Sequence, residues 1–420
     1  MPSTTTATVS AAPTRRERNL HCAQPRRVTF VHEVSYLDKP VFEIHEFPEG
    51  LASEGWSVHF IDFDEDAVRP RQVRKAVSRL GTSSIDLTSV PSFGSGILRR
   101  LVAALIGLVW IPWKLFRSKP DVVVLYAVPT FGWQTVLAGR LLRLPVVYRA
   151  IDLSAEIRDT KFSRLVSWAE RCVARYATIV CTNTDQLGAH LRSLGAIDVR
   201  RVFPGFDRQL SWRSTDQGDA IEERSDRDGY SVVFMGTLFP FAGLEQFIRL
   251  LAPVLRRRPE LRFRILGSGE AEGTLREVIH QEDLKSSIEM PGFVPYEQLF
   301  VELSRSSVAV IPFDVRMLTH VALPGKVPQY VRAGLPVVAT PLRGLQELLP
   351  EGSGVIYRRL GAGFLEAIED LLDNPQYRRR LVDAGNERLD VAATWNVALS
   401  DFEAVLLDAM TERKRKARVG

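Results

Sequence analysis

The sequence predicts an α/β protein of two doubly wound, parallel-sheet halves facing a cleft, and three observations carry that prediction. Apolar, strand-like runs alternate with helix-period segments from Arg27 to Thr182. A polar stretch, Trp212 to Asp228, then interrupts the apolar pattern with linker composition. From Tyr230 the alternation restarts and continues to about Ile356. At 420 residues the chain has room for two or three domains, each burying its own core.

Each element has a local reason. Arg27–Val34 is a strand, and Val41–Glu54 is a helix with apolar positions at Val41, Ile44, Phe47 and Leu51, closed by Gly55. Strands Trp56–Asp62 and Asp121–Tyr126 follow, then a helix Trp133–Leu142 that leads into strand Pro145–Arg149. Helix Phe162–Tyr176 leads to strand Thr178–Thr182. In the second half Ser307–Pro312 reads as a buried strand. Pro324 and Gly325 open a short helix with Lys326 in its first turn, Gly334 closes it, and strand Pro336–Ala339 begins at once. Helices Gly363–Asp373 and Gln376–Ala384 come next, and Trp395–Met410 is a last amphipathic helix. The predicted organisation is a disordered tail (1–24), a Rossmann-like domain (25–211), a linker (212–228) and a second Rossmann-like domain (229–390). A crossing helix (391–411) and a basic tail (412–420) complete it.

Composition excludes several classes. With 45% hydrophobic and 25% charged residues the chain is neither disordered, collagen-like nor a disulfide scaffold. Cys22, Cys172 and Cys181 are too few and too poorly spaced for a zinc site, and a reducing, cytoplasmic compartment fits them. The net charge of +5 collects in basic clusters such as Arg15–Arg27 and Arg413–Arg418, but no nucleic-acid-binding motif accompanies them. The first twenty residues lack the apolar core of a signal peptide.

The segment Ile97–Arg117 stands apart. Its uncharged core, Leu101–Trp113, is shorter than the ~20 residues a bilayer crossing needs. Arg99, Arg100, Lys114 and Arg117 flank it, with Trp110 and Trp113 near one end, which is the pattern of an interfacial helix with basic and aromatic anchors. A buried helix of the first sheet is the competing reading. The expectation is a peripheral site on the inner face of the membrane.

A helix N-terminus at the carboxyl end of a strand, with a lysine at its mouth, is suited to an anion. The stretch Leu323-Pro-Gly-Lys-Val-Pro-Gln-Tyr-Val-Arg-Ala-Gly-Leu-Pro-Val-Val-Ala-Thr340 resembles the donor-binding half of GT-B glycosyltransferases, in particular the Pro-x-Lys branch of glycosyltransferase family 4 and its relatives. Val233-Phe-Met-Gly236-Thr-Leu, Phe263-Arg-Ile-Leu-Gly267-Ser-Gly269-Glu270, Pro291-Gly-Phe-Val-Pro-Tyr296 and Gly344-Leu-Gln-Glu347 resemble further family motifs in the family's order. In the first half Val146–Leu153 and Val202–Asp207 match strand and hinge patterns, so the resemblance covers roughly residues 26 to 405.

The resemblance implies a GT-B glycosyltransferase that moves a sugar from a nucleotide-diphosphate donor, a UDP- or GDP-sugar, to a glycan or lipid-linked acceptor in cell-surface or extracellular polysaccharide assembly. It implies a metal-independent enzyme with no cofactor beyond its donor. Lys326 is the candidate cation for the leaving diphosphate, with Gly236 and Thr237 as further donors to the phosphates. Gly267, Glu270, Phe293, Pro324, Gly325, Gln329 and Glu347 complete the candidate donor site. Asp152, just past the strand Val146–Arg149, is the candidate catalytic base, and its alternative is a helix N-cap. Glu156 would share its face. His45 and Glu46 lie where acceptors approach, whereas His32 reads as structural. The chain departs from the family at Thr237 and Ala242, where arginine and lysine are usual. Gln329 stands at the second of two usual glutamates and Val321 near the first, which removes a usual contact to the donor sugar. Two other readings share the architecture: a nucleotide-sugar 2-epimerase and a non-catalytic nucleotide-sugar-binding protein. The Gly267-Ser-Gly269…Gly273 pattern also invites a hydride-transfer enzyme, but no acidic residue follows at the required strand end.

Overall fold

The computed structural model describes residues 25–39, 41–63, 75–126, 128–153, 163–206 and 231–419. The predicted tail and linker, and with them Cys22, Asp64–Asp66, Glu156 and Asp207, lie outside the described residues.

The first half is an eight-stranded sheet of order β3-β4-β2-β1-β5-β6-β7-β8. Its strands are β1 (Arg27–Val31), β2 (Ser57–Asp62), β3 (Lys75–Val77), β4 (Ile85–Ser89), β5 (Val122–Leu125), β6 (Val146–Ala150), β7 (Ile179–Thr182) and β8 (Val199–Arg201). All pairings are parallel except β3 with β4. The helices are α1 (Glu43–Ser53), α2 (Gly96–Ser118), α3 (Gly132–Leu141), α4 (Ser163–Tyr176) and α5 (Asp185–Ser193). β5, β6 and β7 are buried at every residue, the pattern of strands covered on both faces.

The second half is an all-parallel sheet of order β11-β10-β9-β12-β13-β14. It comprises β9 (Ser231–Met235), β10 (Arg262–Leu266), β11 (Ile288–Gly292), β12 (Val308–Ile311), β13 (Val337–Ala339) and β14 (Val355–Tyr357). Around it lie α6 (Leu244–Arg257), α7 (Glu272–Gln281), α8 (Tyr296–Leu303), α9 (Met317–Val321), α10 (Lys326–Arg332) and α11 (Arg343–Leu348). α12 (Ala362–Asp373), α13 (Pro375–Ala392) and α14 (Trp395–Val419) close the chain. The strand order reverses direction between β1 and β5 and between β9 and β12, the points where open α/β sheets form ligand crevices.

α14 leaves the second half and packs on α1, β5, β6 and β7 of the first. Phe402 stacks on Phe47 with centroids 4.3 Å apart, and Trp56 Nε1 donates to Glu403 at 2.8 Å. The helix is continuous to Val419, beyond the expected end at 411. At the crossover Gly205 lies so close to Trp395 that a Cβ would meet its ring at 2.4 Å. The Phe206 N–H donates to the Ala393 carbonyl, and Arg332 Nε donates to the Phe206 carbonyl at 2.6 Å.

Candidate active site

The carboxyl ends of β9 and β10 carry two glycine turns that interlock. Gly236 and Gly267 have φ of +129° and +144°, where a side chain is strained. The Gly236 N–H donates to Leu266 O, the Gly267 N–H to Gly292 O and the Leu238 N–H to Ser268 O. A Cβ on Gly267 would meet Gly236 O at 2.0 Å, so the turn after β10 admits only glycine against the turn after β9.

Lys326 reaches this pair from the first turn of α10. A Cβ on Gly236 would stand 2.4 Å from its Nζ. The ammonium lies 4.5 Å from the Phe234 ring centre and 5.2 Å from that of Phe313, in cation–π contact with both. Among the described residues no carboxylate pairs with it. Burial without a counter-ion pushes its pKa down to about 7. Tyr330 sets the spacing: its hydroxyl oxygen accepts the Met235 N–H at 2.6 Å and locks α10 to the end of β9. The result is a cation held over aromatic faces and aimed at a backbone turn, an arrangement that an anion completes.

The other donor-site candidates fall around this centre with one exception. Thr237 and Glu270 are exposed on the two turns, and Phe293, 76% exposed, follows β11 on the same sheet end. Pro324 and Gly325 form the entry to α10, and half-buried Gln329 lies one turn beyond Lys326 on the same helix. Glu347 is the exception and corrects the expectation. Its carboxylate accepts the N–H groups of Asp185 (2.5 Å) and Gln186 (3.0 Å) at the start of α5, with Arg201 at 3.7 Å. It joins the two halves by accepting the first N–H groups of a helix of the other, and both its oxygens are engaged there.

Across the cleft, Asp152 lies two residues past β6. Its side chain is accessible to solvent. Desolvation, and then the negative Glu43, push its pKa up. Beneath it Glu43 and Arg149 form a fully buried bidentate pair at 2.7 and 2.8 Å, with the Tyr126 hydroxyl donating to Glu43. His45 is fully buried between the Tyr36 carbonyl and the Phe42 N–H, so it is a structural residue and not an acceptor contact. His32 stacks on Tyr126, and burial with nearby His45 and Lys39 holds its pKa down to about 3.

Two features escaped the sequence reading. Glu33, buried at the end of β1, accepts the Thr130 and Phe131 N–H groups at the start of α3. Phe239, Phe241 and Phe313 form an aromatic run beside Lys326, with Phe239 stacked on Phe241 at 5.0 Å and Phe241 edge-on to Phe313. The only sequence sign was the close spacing of phenylalanines after Gly236, which equally suits a core.

Two family models match the chain. Residues 43–205 match a "glycosyl transferase 4-like domain" and residues 229–374 match "glycosyl transferases group 1". An α-D-kanosaminyltransferase of Streptomyces kanamyceticus is 25% identical over 59% of this chain and 66% of its own length. A D-inositol 3-phosphate glycosyltransferase of Corynebacterium aurimucosum is 24% identical over 84% of this chain and 87% of its own. Among solved structures, sucrose-phosphate synthase from Thermosynechococcus elongatus superposes with a TM-score of 0.73 at 15% identity. That superposition covers 92% of this chain and all of the other. Anabaena HepE in complex with UDP and glucose superposes at 0.68 and 14% identity, over 90% and 98% of the two chains.

Proposed function

Since the chain belongs to the family-4-like GT-B glycosyltransferases and is a glycosyltransferase, we propose that it moves a sugar from a nucleotide diphosphate, a UDP- or GDP-sugar, to a glycan or lipid-linked acceptor. The reading places it in the cytoplasm, on the inner face of the membrane, in cell-surface polysaccharide assembly. The carrying observation is Lys326: a half-buried lysine whose ammonium lies against the Phe234 and Phe313 rings and the Gly236 turn, with no carboxylate partner among the described residues. A phosphate oxygen ~4 Å away at an effective dielectric of ~20 would gain about 4 kcal/mol before desolvation. The share of that which grows as the leaving diphosphate gains charge accelerates transfer.

In this reading the Gly236 and Thr237 turn cradles the phosphates, Gln329 meets the ribose hydroxyls and Phe293 flanks the base. Lys326 takes the place of a metal in balancing the leaving group. Asp152 takes the acceptor proton, and its raised pKa makes it a stronger base than an ordinary carboxylate. The HepE complex contains UDP and glucose, and that likeness supports a nucleotide-sugar donor here. A thermal-shift panel of nucleotide sugars, followed by transfer assays with the stabilising donor, tests the proposal. A ligand at 100 times its Kd adds about 2.7 kcal/mol of stability. A protein stabilised by no nucleotide sugar, or one that only epimerises its ligand, overturns it.

A further inference from the structure

We propose that one face of the first half, formed by α2, α3 and α4, docks onto the surface of an anionic bilayer. The inference rests on the membrane-side acceptor proposed above. α2 is amphipathic in an unexpected sense. Arg99, Ala103, Gly107, Ile111 and Leu115, spaced every four residues, are buried on the domain. The opposite stripe is Ile97, Leu101, Leu105, Val109, Trp113 and Phe116, and all six are exposed, Val109 to 76%. By length and composition α2 could cross a bilayer, but its buried stripe supplies Ala103, Ile111 and Leu115 to the core of the first half. The helix therefore lies along the protein surface.

Three of the four cations expected to anchor this helix turn inward, which corrects the sequence reading. Arg99 Nε donates to Ser92 Oγ at 3.1 Å, Arg100 pairs with buried Glu33 at 3.8 Å, and Lys114 donates to Thr88 Oγ1 at 3.4 Å. The exposed positive charge comes from Arg117 and from neighbouring helices. α3 packs on α2 and α4 packs on α3, extending the exposed apolar surface through Leu137, Leu141, Leu165 and Trp168. On α4, Arg164, Trp168, Arg171 and Arg175 share one exposed stripe, and Arg117 stands exposed at the end of α2.

Charge selects the occupant. Among the described residues of these three helices Glu170 is the sole acidic side chain, and it is buried. An apolar surface whose exposed charges are all positive matches acyl chains beneath anionic headgroups. A second copy of the same face would bring positive charge against positive charge. α2 and α3 start at the carboxyl ends of β4 and β5, the end of the sheet that faces the cleft. Docking through this face would hold the cleft rim at the lipid surface, where a lipid-linked acceptor presents its hydroxyl.

Vesicle co-sedimentation of the full chain tests this, comparing phosphatidylcholine alone with two parts phosphatidylcholine to one part phosphatidylglycerol. Wild type should partition onto the anionic vesicles and come off in carbonate. Leu105→Ser/Val109→Ser/Trp113→Ser should lose at least tenfold in partitioning. Arg117→Gln/Arg164→Gln/Arg171→Gln should lose on the order of 100-fold, about fivefold per cation. Both variants should keep the wild-type thermal shift with nucleotide sugar, because neither touches the cleft. Absence of wild-type sedimentation overturns the docking surface, as does equal binding by the serine variant. Retention after carbonate overturns a peripheral mode, and a stable dimer abolished by the serine variant assigns the face to a second copy. Each of these results with nucleotide binding intact refutes the docking face alone; loss of nucleotide binding by wild type would refute the functional reading.

Discussion

Raising the pH from about 6 to about 8 should weaken nucleotide-sugar binding roughly tenfold, and the effect should vanish in Lys326→Met. Burial holds the free Lys326 ammonium at a pKa of about 7. About nine molecules in ten therefore carry the charge at pH 6 and about one in ten at pH 8. A diphosphate beside Nζ favours the charged form, so binding at pH 8 draws a proton from solvent. Restoring that proton costs about 1.4 kcal/mol at pH 8, a factor of ten in Kd. Isothermal titration calorimetry at pH 8, in two buffers of different ionisation enthalpy, reads the uptake directly and should return about 0.9 proton per donor bound. The diphosphate diester of the ligand does not itself titrate in this range. Lys326→Met should bind more weakly at pH 6 and show neither uptake nor slope. Zero uptake by wild type, or an unchanged slope in the variant, would refute the assignment of Lys326 to the phosphates. Without ligand the same depression has the opposite consequence for folding. The unfolded chain binds more protons between pH about 7 and about 10, so this group makes stability rise with pH across that window.

Three further perturbations separate the roles. Asp152→Asn should leave the donor thermal shift unchanged and lower transfer by 10²-fold or more, measured as sugar incorporated into acceptor; retained transfer would identify a cap instead of a base. Gly236→Ala should raise donor Kd at least tenfold while costing only about 1–2 kcal/mol of stability by denaturant titration, because the new methyl displaces the mobile end of Lys326; unchanged Kd would place the phosphates elsewhere. Glu347→Ala should lower stability by about 1–2 kcal/mol through the lost acceptors of the Asp185 and Gln186 N–H groups at the start of α5 and leave donor Kd within about twofold, and a selective loss of donor affinity would return Glu347 to the pocket.

The fold was legible because its cause is local and repeated. Fully apolar runs such as Val122–Leu125 and Val308–Ile311 admit little besides buried parallel strands, and Gly334, at φ +82°, ends α10 where the sequence placed a stop. The Gly236–Lys326 centre was legible for a similar reason, since a glycine turn and a helix-opening lysine each mark a strand end. What stayed hidden depends on partners far away in sequence. Glu347 looks like a pocket residue until α5 brings two N–H groups to it, and its capping partners lie 162 and 161 positions away. The inward turn of Arg99 and Arg100 needed Ser92 and Glu33 to be placed. Helix periodicity shows that two faces exist, but not which of them the domain takes.

The last helix of the chain is a structural part of its first half. Phe402, Leu406 and Ala409 sit in one apolar core with Val28, Phe30, Phe47 and Val124. During synthesis the ribosome releases α14 after every strand of both sheets, so the first half must wait with that core uncovered while the second half, its elements finished by Ala392, can already fold. The order of maturation therefore runs against the order of translation. A stop codon just before Trp395 would spare the sheet it follows and strand the one laid down some two hundred residues earlier, leaving an aggregation-prone trough over β5, β6 and β7.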